Sequence, residues 1–527
     1  MITLSLKEKK CIIILFFISL LVRFAAYFFY LRHENRFWQV DSQTYHSVGS
    51  QLAQGKGFTN VDGNDHFYRL PGYPIFIALS YTLFGHNKHA VLWMQIVLAA
   101  VIPLLIFLLS LVLFPLRRRL AVVASFYSTF HIGLVLYASF FMSETLFLVF
   151  FLLFLLFFFA SFHLWFCPYS QEEACKSNNT DAHDKILLST MPRASMEVPG
   201  YEAFCQKINT ECTSCVCDAE DIVTRRLVFA GLFLGIASLI RPVGHYVIVV
   251  STLLLLLSND TLVRKCTKVI ALGVAWFFPV SLWLTRNFFL TSHLFFHTLP
   301  GGHFLYLSAS RVVSNVNHCS YQEARQRLRE TIEHDIQEDE KVVGRPLLEI
   351  ERCIKHEQLA RTWFMHYPGI AAQLWLTDMC RTSLSLYSSE ILYLEQGRPE
   401  IPYFDSGRTF MSLFKKYLVP KTNNFLLLLL IYYEILTFFL ILLGFCGSIV
   451  RHAIRLFKRH KHSYTYLHDL DITMQAIPIM ILFIALALAG GYARMRLPIE
   501  PLLIIFSLSG WGYFIACMKK ISHTGKS

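Results

Sequence analysis

Long apolar runs separated by short charged clusters constrain this chain more than any other feature. Cys11 to Leu31 and Val91 to Pro115 each have enough consecutive apolar residues to cross a bilayer. Of the 527 residues, 54% are hydrophobic and only 16% are charged, whereas soluble domains carry about 25% charged residues. The sequence therefore predicts an all-α polytopic membrane protein.

The charged clusters give the runs a consistent orientation. Lys7 to Lys10 precede the first run, and Arg117 to Arg119 and Lys519 follow later ones, so the positive-inside rule places both termini in the cytoplasm. The net charge of +12 is spread over such clusters and not gathered in one stripe with interleaved aromatics, so no nucleic-acid partner is predicted. Ten spans are predicted, or twelve if Phe289 to Leu307 and Ile370 to Leu386 form a further pair. The ten are Cys11 to Leu31, Val91 to Pro115, Leu120 to Met142, Leu146 to Phe166, Leu227 to Ile240, Val243 to Leu257, Val269 to Leu284, Asn424 to Val450, Met474 to Gly490 and Leu502 to Cys517.

Hydropathy divides the chain into five segments. Residues 1–166 form an N-terminal membrane module whose first outer loop is 32–90, and 225–287 continue this module after a Cys-rich insert at 167–224. Residues 288–421 are predicted to form an outer-face helical domain, because Ser320 to Glu340 has charged residues at helical spacing. Residues 422–527 supply the C-terminal membrane helices.

The Cys-rich insert has two structural interpretations. Cys212 and Cys215 form a single Cys-x2-Cys pair, followed closely by Cys217. Such a pattern fits a structural zinc site or a flexible insert with reduced thiols. A cytoplasmic position argues against disulfides.

Charged residues are predicted to gather at the outer ends of the spans. They are Asp41, Arg69, Glu144, Arg241, His245, Arg286, Arg494 and Arg496. Charges at this depth are costly and usually face a cavity or a partner. Arginine binds phosphate as a fork of donors, and a carboxylate can remove a proton from an incoming hydroxyl. The set therefore fits a reaction on an anionic, phosphate-bearing substrate.

Each of these residues also has a structural interpretation. Arg241, Arg286 and Arg494 fit headgroup anchors, and Glu144 fits a structural partner for one of them. His245 fits an interfacial histidine. Tyr45 and Tyr68, in the first outer loop, fit either an interfacial aromatic belt or a sugar-stacking site.

Five segments resemble the bacterial GT-C glycosyltransferases, namely the enzymes like protein mannosyltransferases and aminoarabinose transferases. The first outer loop supplies Asp41-Ser-Gln-Thr-Tyr45, Leu52 to Gly57 and Tyr68-Arg-Leu-Pro-Gly-Tyr-Pro74. The other four segments are Ser143-Glu144-Thr-Leu-Phe147, Gly231 to Pro242, Arg286-Asn287 and Arg494-Met-Arg-Leu-Pro498. The resemblance covers most of the membrane portion and omits the Cys-rich insert and much of the outer domain.

The resemblance implies a GT-C fold of ten to twelve transmembrane helices and a multi-pass enzyme of the bacterial inner membrane. It implies transfer of a sugar, with inversion, from a polyprenyl-phosphate donor to a protein, lipid or glycan acceptor. The residue matching Asp41 serves as general base or orients the acceptor, and Glu144 is a second acid near it. Further substrate-binding candidates are Arg69, Arg241, Arg494 and Arg496 for the donor phosphate, and Tyr45, Tyr68, His245 and Arg286.

Three questions stay open at this level. Arg69 stands where the aminoarabinose branch has a lysine, so the sugar is not assigned. No cofactor is assigned, and a divalent metal is neither required nor excluded. A transporter or flippase of a lipid-linked saccharide is the alternative; it predicts charges deep within several spans and paired broken helices.

Overall fold

The structure is a computed structural model in which almost every described segment is helical. It describes residues 5–115, 117–162, 201–258, 260–388, 390–391, 422–457, 464–486 and 493–524, with side chains left out for 201–219, 455–457, 464–474 and 519–524. Within these ranges there is no β-strand, and the one isolated bridge joins Thr59 to Asp65. The predicted all-α class is confirmed. The predicted zinc ligands of the insert lie outside the described side chains.

Helices of eight or more residues are numbered here in chain order. They are α1 (Leu6–Ala26), α2 (Ser42–Ala53), α3 (Gly72–Phe84), α4 (Lys88–Leu113), α5 (Arg118–Phe130), α6 (Ile132–Ser139), α7 (Glu144–Ser161), α8 (Tyr201–Ser238), α9 (Val243–Leu256), α10 (Leu262–Thr291), α11 (Tyr321–Val343), α12 (Glu349–His366), α13 (Pro368–Leu384), α14 (Phe425–Phe457), α15 (Tyr464–Ala485) and α16 (Glu500–Thr524).

Six helices of the described chain are long and apolar enough to cross a membrane, or seven if the bent pair α5 and α6 is one span. Each of the ten predicted spans overlaps a helix or this pair, but three of them are not among the seven. The predicted span Leu227 to Ile240 lies in α8, which is not one of the described helices that could cross, and α9 and the apolar part of α15 are shorter than a full crossing. The predicted extra pair is not seen. The segment Phe289 to Leu307 is divided between the end of α10, a loop and two short helices, and α13 is not among the apolar helices that could span.

The predicted span Leu120 to Met142 is broken in the structure. His131 has an extended backbone (φ −65°, ψ 121°) between α5 and α6, whose axes differ by 50°. Its ring Nδ1 accepts from the N–H of Leu134 over 3.4 Å and so caps α6.

The predicted outer domain is helical where it is described. Ser320 Oγ accepts from the Glu323 N–H over 3.2 Å at the start of α11, and Gly344 ends that helix with φ of 73°. One face of α11 packs into a core of its own, made of Leu305, Ala309, Val313, Ala324, Leu328, Ile332, Ile336 and Ala360. The charged residues of α11 occupy its exposed face, as predicted for a solvated helix.

Replacing Gly235 by valine should destabilise the bundle where α8 packs on α10. A Cβ at Gly235 would lie 2.6 Å from the carbonyl oxygen of Trp276 and 2.5 Å from Cγ of Pro279. Overpacking of this kind costs about 1–3 kcal/mol. The expected result is a lower melting temperature in size-exclusion chromatography after heating. Gly273→Val, at a position on α10 with nothing within 4 Å, is the control, and equal melting of both variants would contradict the prediction.

Candidate active site

A close backbone approach fixes the first outer loop against the end of α8. The N–H of Gly72 donates to the carbonyl oxygen of Leu239 over 2.8 Å, and a Cβ at Gly72 would lie 2.9 Å from that oxygen. A side chain would push the two segments apart, so the Leu-Pro-Gly motif requires glycine here. Since Arg69 and Arg241 are close in sequence to this contact, it brings both arginines to one place.

Gln95, buried in α4, fixes the segment that leads to Glu144. Its Nε2 donates to the carbonyl oxygens of Tyr137, Ala138 and Phe140 over 3.1, 3.1 and 2.7 Å. These carbonyls lie where α6 ends, and backbone groups left without partners inside a membrane are costly. Gln95 satisfies them, and its own Oε1 accepts from the Tyr73 hydroxyl over 2.9 Å.

Asp41 stands immediately before α2 and contacts two arginines. Its Oδ1 lies 2.6 Å from Nη2 of Arg69, and its Oδ2 lies 2.7 Å from Nη2 of Arg494. The carboxylate makes no capping bond to α2, so both oxygens are available to the arginines. The side chains of Asp41 and Arg494 are 23% and 22% exposed, which makes them accessible to a ligand.

Glu144 lies behind this pair, at the start of α7. Its side chain is 1% exposed, and its Oε1 contacts Nε of Arg494 and lies 2.8 Å from Nη1 of Arg241. Arg494 therefore bridges the two carboxylates, with Nη2 on Asp41 and Nε on Glu144. A buried carboxylate needs such partners, and in turn it holds both arginines in place.

Two aromatic rings and a hydroxyl support Arg69. Its guanidinium carbon lies 4.7 Å from the ring centroid of Tyr45 and 4.9 Å from that of Tyr68, within the range of a cation–π contact. Its Nε donates to Oγ1 of Thr44 over 3.0 Å. The hydroxyl of Tyr45 lies 3.2 Å from Oγ of Ser143. Both tyrosines are thus explained as supports of Arg69.

The electrostatics of the site keep Asp41 ionised and His66 neutral. Burial alone would raise the pKa of Asp41, but Arg494 and Arg69 outweigh it and lower that pKa below its ordinary value. Burial, assisted by Arg69 and Arg286, lowers the pKa of His66 to about 4. A neutral His66 agrees with its bonds, since its Nε2 accepts from the Arg69 N–H and its Nδ1 lies 2.6 Å from Oδ1 of Asn60.

The structure brings together seven of the ten residues singled out in the sequence. They are Asp41, Glu144, Arg69, Arg241, Arg494, Tyr45 and Tyr68. Three others have contacts elsewhere. Arg286 pairs with Asp65 over 3.0 Å, and the His245 ring lies 3.9 Å from that of Phe296. Arg496 is buried and pairs with Glu500 over 2.6 Å. Their roles toward a substrate stay predictions.

Three residues that support the site were not predicted from the sequence: Thr44, Gln95 and Glu390. Thr44 and Gln95 act only through the partners they hold, as described above. Glu390 lies between α13 and α14, where it accepts a hydrogen bond from the Tyr137 hydroxyl over 3.4 Å. Burial raises the pKa of Glu390, and the nearby Arg494 opposes the rise. An isolated polar residue in a connecting segment carries no signal of such contacts.

The carboxylates of the described cluster do not fit as ligands of a resident divalent cation. Among the described side chains there is no cluster of three or more His, Cys, Asp or Glu that could hold one. Moreover, Asp41 and Glu144 each contact two arginines, and the guanidinium of Arg494 lies between them. No chemical step below is assigned to a metal.

Comparisons with known proteins point to one fold. No protein-family model and no curated protein matches the sequence. The structure is similar to the archaeal oligosaccharyltransferase AglB from Archaeoglobus fulgidus, in a complex with an inhibitory peptide and a dolichol-phosphate, with a TM-score of 0.50 and 11% identity. That match covers 99% of this chain and 52% of AglB, so this chain spans about half the length of that protein.

A second solved structure is ArnT from Cupriavidus metallidurans bound to undecaprenyl phosphate. It matches with a TM-score of 0.32 and 13% identity, over 94% of this chain and 77% of ArnT.

The chain is a multi-pass membrane protein with the GT-C fold. The fold that the sequence motifs implied is thereby confirmed, and the seven-residue cluster is the candidate active site within it.

Proposed function

We propose that this chain is a membrane glycosyltransferase that takes a sugar from a polyprenyl-phosphate donor. The observation that carries the proposal is the cluster in which Arg69, Arg241 and Arg494 meet Asp41 and Glu144. Three cations against two carboxylates leave an excess of one positive charge, which suits a phosphodiester carrying one negative charge. The fold shared with AglB, whose structure contains a dolichol-phosphate, supports a lipid-linked donor.

The reaction would be an inverting displacement at the anomeric carbon. The acceptor oxygen forms a bond to that carbon while the bond from the carbon to the phosphate oxygen breaks. The acceptor proton passes to Asp41, the accessible carboxylate, and the lipid phosphate leaves with one more negative charge. Arginines fixed around the phosphate stabilise this developing charge.

Glu144 acts in this proposal as a positioning residue and not as a group that touches substrate. Its side chain is 1% exposed and engages Arg494, which also contacts Asp41, and Arg241, which does not. The proposed site of transfer is the outer face of the membrane, because the positive-inside rule places the basic stops on the opposite side. A bacterial inner membrane remains our prediction for the location.

The proposal is tested with the purified protein in lipid vesicles and a panel of polyprenyl-phosphate sugars. We expect one donor to be consumed, with release of polyprenyl phosphate in equal amount. The sugar and the acceptor are then identified from the donor that is used and from the labelled product. Equilibration of a lipid-linked saccharide across the bilayer without consumption of any donor would establish transport instead.

A further inference from the structure

Asp41 and the phosphate of an incoming donor require the same guanidinium groups. Each carboxylate oxygen of Asp41 contacts one arginine: Oδ1 lies 2.6 Å from Arg69, and Oδ2 lies 2.7 Å from Arg494. A carboxylate held by two cations is a weak base. Opening one of the two ion pairs raises the basicity of Asp41, so transfer of the acceptor proton is favoured once an arginine has left it.

The two arginines differ in how firmly they are held. Arg69 is fixed by Thr44 and by two aromatic rings, and its side chain is 11% exposed. Arg494 is 22% exposed and is held by the two carboxylates. The free energy needed to exchange a carboxylate partner for a phosphate is therefore smaller at Arg494 than at Arg69.

The geometry of Arg494 allows it to exchange one partner while keeping the other. Its Nε contacts buried Glu144, whereas its Nη2 contacts the accessible Asp41. The N–H groups on different nitrogens of one guanidinium can donate hydrogen bonds to two anions at once. Glu144 thus retains Arg494 in the site while Nη2 turns from Asp41 to a phosphate oxygen.

We propose that Arg494 exchanges between Asp41 and the donor phosphate, so that donor binding frees the base and precedes productive binding of the acceptor. The inference rests on the proposed function, since it takes the ligand to be a lipid-linked phosphate. It makes Arg494 the residue that couples the arrival of the donor to the availability of Asp41. Its distinctive consequence is that Asp41 competes with phosphate and therefore weakens donor binding.

Equilibrium binding separates this competition from catalysis. The probe is a short-chain polyprenyl phosphate added to the protein in nanodiscs of phosphatidylcholine, with binding read by native mass spectrometry. Asp41→Asn should bind the probe about tenfold more tightly than the wild type, because it removes a negative charge within contact distance of the phosphate site. Asp41→Ala should show the same gain, which separates the loss of charge from any effect of the new amide.

Two controls test the specificity of the gain. Asp65→Asn removes the carboxylate from another arginine pair, Arg286–Asp65, and should leave the affinity unchanged. The uncharged polyprenol should bind all variants alike. In the double variant Asp41→Asn with Arg494→Gln the tenfold gain should vanish, because the exchanged arginine is gone.

The outcomes are distinguishable. If the wild type binds the phosphate no better than the polyprenol, both the proposed function and the exchange are overturned. If the wild type prefers the phosphate but both Asp41 variants bind it equally or more weakly, the exchange alone is overturned. A gain that survives removal of Arg494 would assign the exchange to another arginine and refute the inference.

Discussion

Asp41→Asn is expected to lower the turnover number for sugar transfer by about 10²–10⁴-fold, the contribution usual for a positioned general base. Asparagine keeps the size of the side chain and removes the oxygen that receives the proton. The measurement is the initial rate of polyprenyl phosphate release in vesicles at saturating donor. Because the same variant should bind lipid phosphate more tightly, loss of turnover with improved binding cannot be attributed to unfolding.

Asp65→Asn serves as the matched control for this variant. It lies in the same segment, 32–90, and its carboxylate also contacts an arginine, but that arginine is Arg286, which is not one of the three arginines paired with Asp41 and Glu144. Its turnover should stay within about twofold of the wild type, as for surface ion pairs of small energetic effect. Full turnover by Asp41→Asn would remove Asp41 from the role of base.

Arg494→Gln is expected to lower kcat/KM for the sugar donor by about 10²–10³-fold. This is the usual effect of removing one hydrogen-bonding group that stabilises developing charge. The loss should affect both kcat and KM, because Arg494 contacts Asp41 as well as the proposed phosphate position. Arg494→Lys should recover only part of the activity. An ammonium is a compact point charge and cannot bridge two carboxylates as a planar guanidinium does.

The control for Arg494 is Arg345→Gln in the outer domain. Arg345 also makes a close pair with a carboxylate, Glu351 at 2.8 Å, but this pair is exposed and should contribute little. We expect wild-type kinetics for this variant. A normal KM and kcat in Arg494→Gln would show that the bridge between the two acids has no part in transfer.

The sequence predicted the members of the site because charges are rare in this chain and stand out at the ends of apolar runs. Asp41, Glu144 and Arg494 are far apart in sequence, but the alternation of spans placed them at one face. Motif order then indicated the GT-C fold, which the structure confirms. Composition and periodicity were sufficient for this level of detail because the membrane restricts the available architectures.

Partners within the site could not be predicted in the same way. Arg494 and Arg496 are two residues apart on one short helix, and the sequence treated them alike. In the structure Arg494 pairs with Asp41 and Glu144, whereas Arg496 pairs with Glu500. The partners differ because residues two apart on a helix point in different directions. The break at His131 and the role of Gln95 were missed for a related reason. Both depend on which backbone N–H and carbonyl groups lose their helical partners, a property of the folded chain.

The bridge made by Arg494 has a consequence for biosynthesis. It joins residues 453 and 350 positions apart, on Asp41 and Glu144 respectively. A ribosome adding about 5–20 residues per second reaches Arg494 roughly 20 to 90 seconds after Asp41. Glu144 and Arg241 are made within that interval, and until Arg494 is added Asp41 has only Arg69, and Glu144 only Arg241, as its arginine partner in the cluster. A ribosome-bound or prematurely terminated chain that ends before Arg494 therefore lacks the cation that bridges the two acids, and the cluster is complete only when the last part of the bundle has docked.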